Sequence, residues 1–202
     1  MPLDLKAIQM ANRDPKKRAK NFDEVALGYT AEQAQAEAKR CLQCPTKPCI
    51  QGCPICIDIP RFIKSMQKAD WAQALAIINE QNPWPAITGR VCPQEHQCQK
   101  KCIMGKKGDA IAIGKLERFV ADFARNQKTT TKKTLQKPEL SISKIAIVGS
   151  GPAGLACAAV LAQNNYEITI FEGFHKLGGV LLYGIPEFRL PKQIVEENIL
   201  FL

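Results

Sequence analysis

A helical, cysteine-rich domain followed by the opening of an α/β domain is the fold class this sequence predicts, and three observations predict it. Eight of the nine cysteines fall between residues 41 and 102, seven of them in two tight groups, among short helical patterns. Residues 126–144, NQKTTTKKTLQKPELSISK, are polar, rich in lysine and threonine and without periodicity, as a linker is. From residue 145 the pattern becomes strand, glycine-rich turn, helix, strand. The expected boundaries are therefore 1–125 for the helical domain, 126–144 for the linker and 145–202 for the α/β part.

The 202 residues are 46% hydrophobic and 23% charged, the balance of a globular chain rather than a disordered one. No apolar run reaches the ~18–20 residues of a membrane span. The first twenty residues, MPLDLKAIQMANRDPKKRAK, lack the apolar centre of a signal peptide and carry acids that transit peptides avoid. A cytoplasmic location is the default expectation, and there thiols stay reduced. Nine cysteines in such a chain imply metal or redox chemistry rather than a disulfide framework. The net charge of +9 raises nucleic-acid binding. No stacking-aromatic or groove-helix motif accompanies the basic runs, so an acidic protein partner is the better use for them.

The helices follow in order. Thr30 and Gln33 have capping-box spacing ahead of AEQAQAEAKR, a helix that delivers the chain to Cys41. Asp58 can cap IPRFIKSMQKA, with Pro60 tolerated in its first turn. Asp70 and Gln73 repeat the box spacing before WAQALAIINEQ, and Asn82, Pro83 and Pro85 then break the pattern. A last helix over about 112–125 places apolar residues at 113, 116, 119, 120 and 123.

The cysteine groups read Cys41-x2-Cys44-x4-Cys49-x3-Cys53-Pro54 and Cys92-Pro93-x4-Cys98-x3-Cys102. Thiolates are soft ligands, and iron–sulfur clusters are normally held by four of them. A proline after the last cysteine is also found in two-cluster ferredoxins, whose fourth cysteine crosses to the other cluster. The same crossing here predicts one cluster on Cys41, Cys44, Cys49 and Cys102, and a second on Cys53, Cys92 and Cys98. Two cuboidal clusters take eight ligands, so one more residue is required; Cys56 and Glu117 are the candidates. Otherwise Cys56 is a small buried hydrophobe and Glu117 a solvated carboxylate at the flank of its helix. Zinc knuckles favour paired C-x2-4-C spacing, which only Cys41 and Cys44 have, and His96 reads as an exposed loop residue.

In the α/β part IAIVG is a short buried strand, followed directly by Gly149-x-Gly151-x-x-Gly154 and a small-residue helix over 155–163. EITIFE is a second strand ending at Glu172. Placed between strand and helix, with an acid about 20 residues on, this is the dinucleotide-binding pattern. The glycines permit the tight turn, the approach of a pyrophosphate and close helix–strand packing, and the helix N-terminus favours the phosphate charge. Glu172 would accept from a ribose hydroxyl, which suits FAD or NAD better than NADP. Cys157, on the following helix, reads as a packing residue.

Together CLQCPTKPCIQGCP, GRVCPQEHQCQKKC, IAIGKLERFVADF, VGSGPAGLA and GGVLLYGIPEFRLPK span nearly the whole chain. This ordered set resembles the small subunit of bacterial glutamate synthase. The same module occurs in the flavin subunit of NADH-dependent ferredoxin:NADP oxidoreductase and in the N-terminal part of dihydropyrimidine dehydrogenase. The resemblance implies an α-helical iron–sulfur domain with two [4Fe–4S] clusters, then the start of an incomplete Rossmann-type FAD-binding domain. It implies a glutamate or glutamine ligand just after the leucine of the last helix, which is Glu117, and leaves Cys56 incidental. FAD is implied at Gly149, Gly151, Gly154 and Glu172, with a second glycine pair, Gly178 and Gly179, near the flavin.

In such proteins NAD(P)H binds a further Rossmann domain and its electrons pass through flavin and clusters to a partner. That partner would be a glutamate synthase large subunit, a pyrimidine-reducing subunit or a ferredoxin-type protein; no nucleic acid or membrane is implied. The sequence stops at RLPKQIVEENILFL, inside a helical pattern. The chain is thus expected to be the N-terminal part of a longer oxidoreductase, with the nicotinamide domain absent. One βαβ unit buries only part of a flavin, so loss of FAD from this chain is among the expectations. The competing reading is a stand-alone iron–sulfur carrier that never meets nicotinamide. No side chain reads as a general acid, base or nucleophile.

Overall fold

The computed structural model describes residues 4–127 and 143–199. Most of the expected linker, residues 126–144, lies outside the described residues. The helices are α1 (Pro15–Arg18), α2 (Ala31–Lys39), α3 (Pro48–Gln51), α4 (Ile59–Gln67), α5 (Trp71–Asn79), α6 (Pro85–Val91), α7 (Ile113–Asn126), α8 (Pro152–Gln163), α9 (Val180–Tyr183) and α10 (Lys192–Ile199). The strands are β1 (Lys144–Val148) and β2 (Glu167–Phe171). Contacts divide the chain into two compact units, Met1–Asp14 with Ala26–Thr129 and Pro15–Val25 with Thr130–Leu202. Residues 15–25 thus belong with the later part of the chain, where Val25 N donates to Phe188 O at 3.0 Å.

In the first unit, capping residues set where the helices begin. Thr30 Oγ1 accepts from Gln33 N at 3.2 Å, and Gln33 Oε1 accepts from Thr30 N at 2.9 Å, a complete box at the start of α2. Asp58 caps α4 through Arg61 N at 3.3 Å. Asp70 caps α5 through Gln73 N at 3.0 Å, without the reciprocal bond that its spacing predicts. Thr30→Ala removes one partner of an exposed cap and is expected to cost about 1 kcal/mol, read as a lower denaturant midpoint at unchanged slope.

The stretch that reads as a break after α5 instead turns and starts α6, with Pro85 in its first turn, where no N–H is needed. The core is the apolar stripe of α4 (Ile59, Phe62, Ile63, Met66) with Ala74, Ile77 and Ile78 of α5 and Leu116 and Val120 of α7. Trp71 stands edge-on to Phe119, with ring centroids 5.0 Å apart. Helix α6 lies directly on α7: a Cβ on Gly89 would stand 2.7 Å from Arg118 N. Beside that crossing, Asp122 Oδ2 accepts from buried Arg90 at 2.7 Å and from Arg118 at 3.2 Å.

A second polar knot joins distant segments of the same unit. Glu37, fully buried on α2, accepts from Ile8 N at 2.8 Å, Ala112 N at 2.9 Å and Arg40 Nη1 at 2.7 Å. Arg40 also donates to the carbonyls of Asp4, Leu5 and Asp109. The N-terminal segment, the end of α2 and the loop before α7 are therefore referenced to one point.

In the second unit β1 and β2 pair in parallel, Lys144 opposite Glu167 through Val148 opposite Phe171, and α8 packs on both. The expectation of a buried first strand does not hold among the described residues. Both strands alternate exposed and half-buried positions, and Val148 is 89% exposed. A parallel strand is buried only when both sheet faces are covered, and here α8 packs on a sheet of two strands. α8 itself starts at Pro152, a turn earlier than the expected 155.

Candidate metal-cluster and dinucleotide sites

The first cysteine group is laid out by a series of tight turns. Cys41 follows the C-cap Arg40, Lys47 N donates back to Cys44 O at 3.1 Å, and Lys47 takes a left-handed conformation (φ 43°) before the single-turn helix α3 carries Cys49. Gly52 and Cys53 close that turn, with Cys53 N on Ile50 O at 3.0 Å. In the second group Cys92 is the C-cap of α6, Cys98 is buried after the 3-10 turn Gln94–His96, and Cys102 starts the 3-10 turn Ile103–Lys106. The groups meet at Gly52, where a Cβ would stand 2.8 Å from Gln97 O and 3.1 Å from Cys98 Cα.

The structure sorts the sulfurs into two sets. Cys41, Cys44, Cys49 and Cys102 line one pocket together with Ile59, Ile63 and Ile113. Burial raises the Cys41 thiol above its ordinary range, and the neighbouring Cys102 and Cys44 add to the shift. Burial raises Cys49 to about 11, with Cys41 and Cys102 contributing. A different set surrounds the second position. Cys92 is raised to about 11 and Cys98 to about 12, in both cases first by burial and then by Glu117 and Cys53. Cys53 therefore stands with the second group and Cys102 with the first.

Glu117 sits in the middle of α7 and is buried, not a solvated border residue, because α6 lies over its flank of the helix. Its Oε1 accepts from Asn82 Nδ2 at 2.8 Å and from Thr88 Oγ1. Burial raises its carboxyl to about 7 against the pull of those two bonds. Cys56 is exposed, with φ 54°, and is neither a buried hydrophobe nor among the neighbours of Cys92 and Cys98. Cys157 is likewise exposed on α8, not a packing residue. His96 is exposed.

Among the described residues no three His, Cys, Asp or Glu side chains converge on the position of a single metal ion. The thiols instead stand in two sets, four around one pocket and three beside Glu117. A cuboidal cluster suits that arrangement, since each of its irons takes its own donor. Burial shifts Cys41, Cys49, Cys92, Cys98 and Glu117 towards their neutral forms, and iron charge is what would hold them as anions.

In the second unit the glycine turn closes between β1 and α8. Gly149 has φ +92°, and its N–H donates to Phe171 O at 2.8 Å, across to the end of β2. Gly151 is the N-cap of α8 with open space beside its Cα, while a Cβ on Gly154 would stand 2.0 Å from Gly149 O. Gly178 and Gly179, with φ +123° and +52°, come to the same turn: Gly178 N donates to Ser150 O at 3.1 Å, and a Cβ on Gly179 would stand 2.7 Å from Gly151 Cα.

Glu172 accepts from Ser150 Oγ and from Ser150 N at 2.9 Å on Oε2, and from Phe174 N at 2.8 Å on Oε1. These bonds, the Ser150 hydroxyl first, lower its pKa to about 2. Each carboxylate oxygen has two acceptor positions, so capacity for a ribose hydroxyl remains. Ser150 was missed in the sequence; its signal is a hydroxyl residue between two turn glycines, where it can join the turn to the following strand.

Residues 18–129 match the family described as dihydropyrimidine dehydrogenase domain II, 4Fe-4S cluster, and residues 147–184 match the NAD(P)-binding Rossmann-like domain. The glutamate synthase [NADPH] small chain of Halomonas elongata is 33% identical over 202 residues, which cover 96% of this chain and 42% of that protein. The putative oxidoreductase AegA of Escherichia coli is 36% identical, covering 98% of this chain and 31% of that protein. The NAD-dependent dihydropyrimidine dehydrogenase subunit PreT of Escherichia coli is 38% identical over 178 residues, 88% of this chain and 42% of that protein. The chain thus spans under half the length of these curated relatives. No helix among the described residues is long and apolar enough to cross a membrane.

Proposed function

The chain belongs to the family described as dihydropyrimidine dehydrogenase domain II, 4Fe-4S cluster, and from that membership we propose that it is the cluster-bearing part of an NAD(P)H-dependent flavin oxidoreductase with two [4Fe–4S] clusters. One observation carries the reading: the fold gathers Cys41, Cys44, Cys49 and Cys102 around one cavity, and Cys53, Cys92 and Cys98 beside buried Glu117. Each set offers four donors, and the exchange of Cys53 and Cys102 between the two groups would bring two clusters side by side. Bound FAD would supply hydride acceptance from NAD(P)H, and bound clusters one-electron transfer.

The protein's own part is binding and shielding. Ile59, Ile63, Met104 and Ile113 wall the first cavity with apolar side chains, which keeps water from the sulfurs and tunes the potential. A carboxylate at Glu117 would give the second cluster a different charge from an all-thiolate one, and so a different potential. FAD is proposed for the second unit, its pyrophosphate at the open Gly151 end of α8 and its ribose at Glu172. For the partner we propose an acidic, electron-exchanging subunit. Lys100, Lys101, Lys106 and Lys115 line a groove that shares Pro48, Cys102 and Ile103 with the cysteine cavity, so positive charge leads to the edge of the first cluster.

Anaerobically purified protein is expected to carry about eight iron and eight acid-labile sulfide per chain, as two cubes require. Cys44→Ser and Cys53→Ser are each expected to lower both counts towards about four, from different clusters with distinguishable paramagnetic resonance signals. Zinc without sulfide would end the electron-transfer reading, and about four iron in the unaltered protein would end the two-cluster assignment.

A further inference from the structure

Glu117 does not stand alone in its pocket. Its Oε1 is held from the α6 side by Asn82 Nδ2 at 2.8 Å and by the Thr88 hydroxyl. Asn82, 2% exposed, is itself fixed: its Oδ1 accepts from Trp84 N at 3.0 Å and its Nδ2 also donates to Thr88 Oγ1 at 2.7 Å. A flipped amide would set Nδ2 against the Trp84 N–H, donor against donor, so the network determines which end of Asn82 faces Glu117. Both amide hydrogens are then committed, one to Thr88 and one to Glu117. Thr88, accepting from Asn82, has its single hydrogen left for Glu117 Oε1 or for Trp84 O at 3.1 Å. Among the described residues nothing donates to Oε2, while Cys92 and Cys98 feel the charge of Glu117 and that of Cys53.

The same helix ties this bracket to the cysteines. Thr88 lies one turn before the C-cap Cys92, whose N–H donates to Thr88 O at 3.0 Å. We propose that Asn82 and Thr88 are positioning residues that occupy Glu117 Oε1, so that Oε2 alone is presented as a single-oxygen ligand to the cluster held with Cys53, Cys92 and Cys98. The inference rests on the cluster assignment above. The bracket sets the rotamer of the carboxylate, prevents it from taking iron through both oxygens and draws charge from the ligating oxygen.

The test uses the cluster-loaded chain and compares Thr88→Val, Thr88→Ser, Asn82→Ala and Glu117→Ala. Two readouts are taken: release of iron to a chelator, and the midpoint potential and paramagnetic resonance signal of each cluster. Outer-shell partners of a metal ligand typically change affinity ~10–100-fold, and iron release from one cluster is expected to quicken by that order in Thr88→Val and Asn82→Ala. Thr88→Ser, which keeps the hydroxyl, is expected to behave as the unaltered protein. The cluster affected should be the one altered by Glu117→Ala, with the other unmoved.

If Glu117→Ala alters one cluster but Thr88→Val and Asn82→Ala leave its potential and iron release unchanged, the positioning role is overturned and the ligand assignment stands. If Glu117→Ala alters neither cluster, the ligand assignment falls and the positioning role with it. If Thr88→Val and Thr88→Ser are affected equally, packing and not the hydroxyl accounts for the effect, and the proposal fails.

Discussion

Glu37→Ala is expected to destabilise the first unit by about 3–5 kcal/mol, the usual cost of removing one partner from a buried ion pair. The pair has side-chain exposures of 0% for Glu37 and 4% for Arg40, so solvent cannot replace the missing charge. Without the carboxylate, Arg40 keeps only three carbonyls, and the N–H groups of Ile8 and Ala112 lose their acceptor. Those groups belong to the N-terminal segment and to the loop before α7, and Arg40 directly precedes Cys41. The loss is therefore expected to appear twice: as a lower midpoint in denaturant unfolding at unchanged slope, and as faster loss of iron on exposure to chelator. A midpoint shift worth less than about 1 kcal/mol, the range of exposed pairs, would show that the knot behaves like a surface salt bridge.

The spacing of Glu37 and Arg40 shows where sequence reading stopped. Three residues apart on a helix, they look like a surface pair; they are buried because the segment around Asp4–Ile8 folds over them, a contact between residues about 30 apart. Glu117 was obscured in the same way. The pattern of α7 puts it at the flank of the apolar stripe, and only the close approach of α6 at Gly89 encloses it.

Residues 82–85 read as a break because two prolines and an asparagine end helices; in the fold that break supplies Asn82 and the first turn of α6. Local signals were read well. Thr30, Asp58 and Asp70 all cap through bonds three residues long. The crossing expected for Cys53 and Cys102 comes from the proline-flanked run of two-cluster ferredoxins. In the structure Cys102 lines the pocket of Cys41 and Cys49, and Cys53 acts on Cys92 and Cys98. Cys56, incidental by the resemblance, is exposed, and so is Cys157, which its place on the helix had suggested as a packing residue.

The glycine turn is expected to separate two kinds of damage that are usually confounded. Gly154→Ala would set a Cβ 2.0 Å from the carbonyl oxygen of Gly149. That oxygen cannot retreat cheaply, because Gly149 is fixed at φ +92° and its N–H is bonded to Phe171 O at the end of β2. Helix α8 must move off the strands, an overpacking cost of about 1–3 kcal/mol or more, and thermal unfolding of the second unit should shift downward together with loss of flavin. Gly151→Ala is different, since its Cβ would meet nothing within 4 Å and its φ of −65° suits any residue. The fold should tolerate that methyl group. A bound pyrophosphate should not, because the methyl group would occupy the approach to the first N–H groups of α8. The expected result is an unfolding curve like that of the unaltered protein with little FAD retained after gel filtration. Retention of FAD by Gly151→Ala, measured against an unaltered sample that binds it, would mean that the phosphate does not lie at this helix end and that Gly151 serves only the turn.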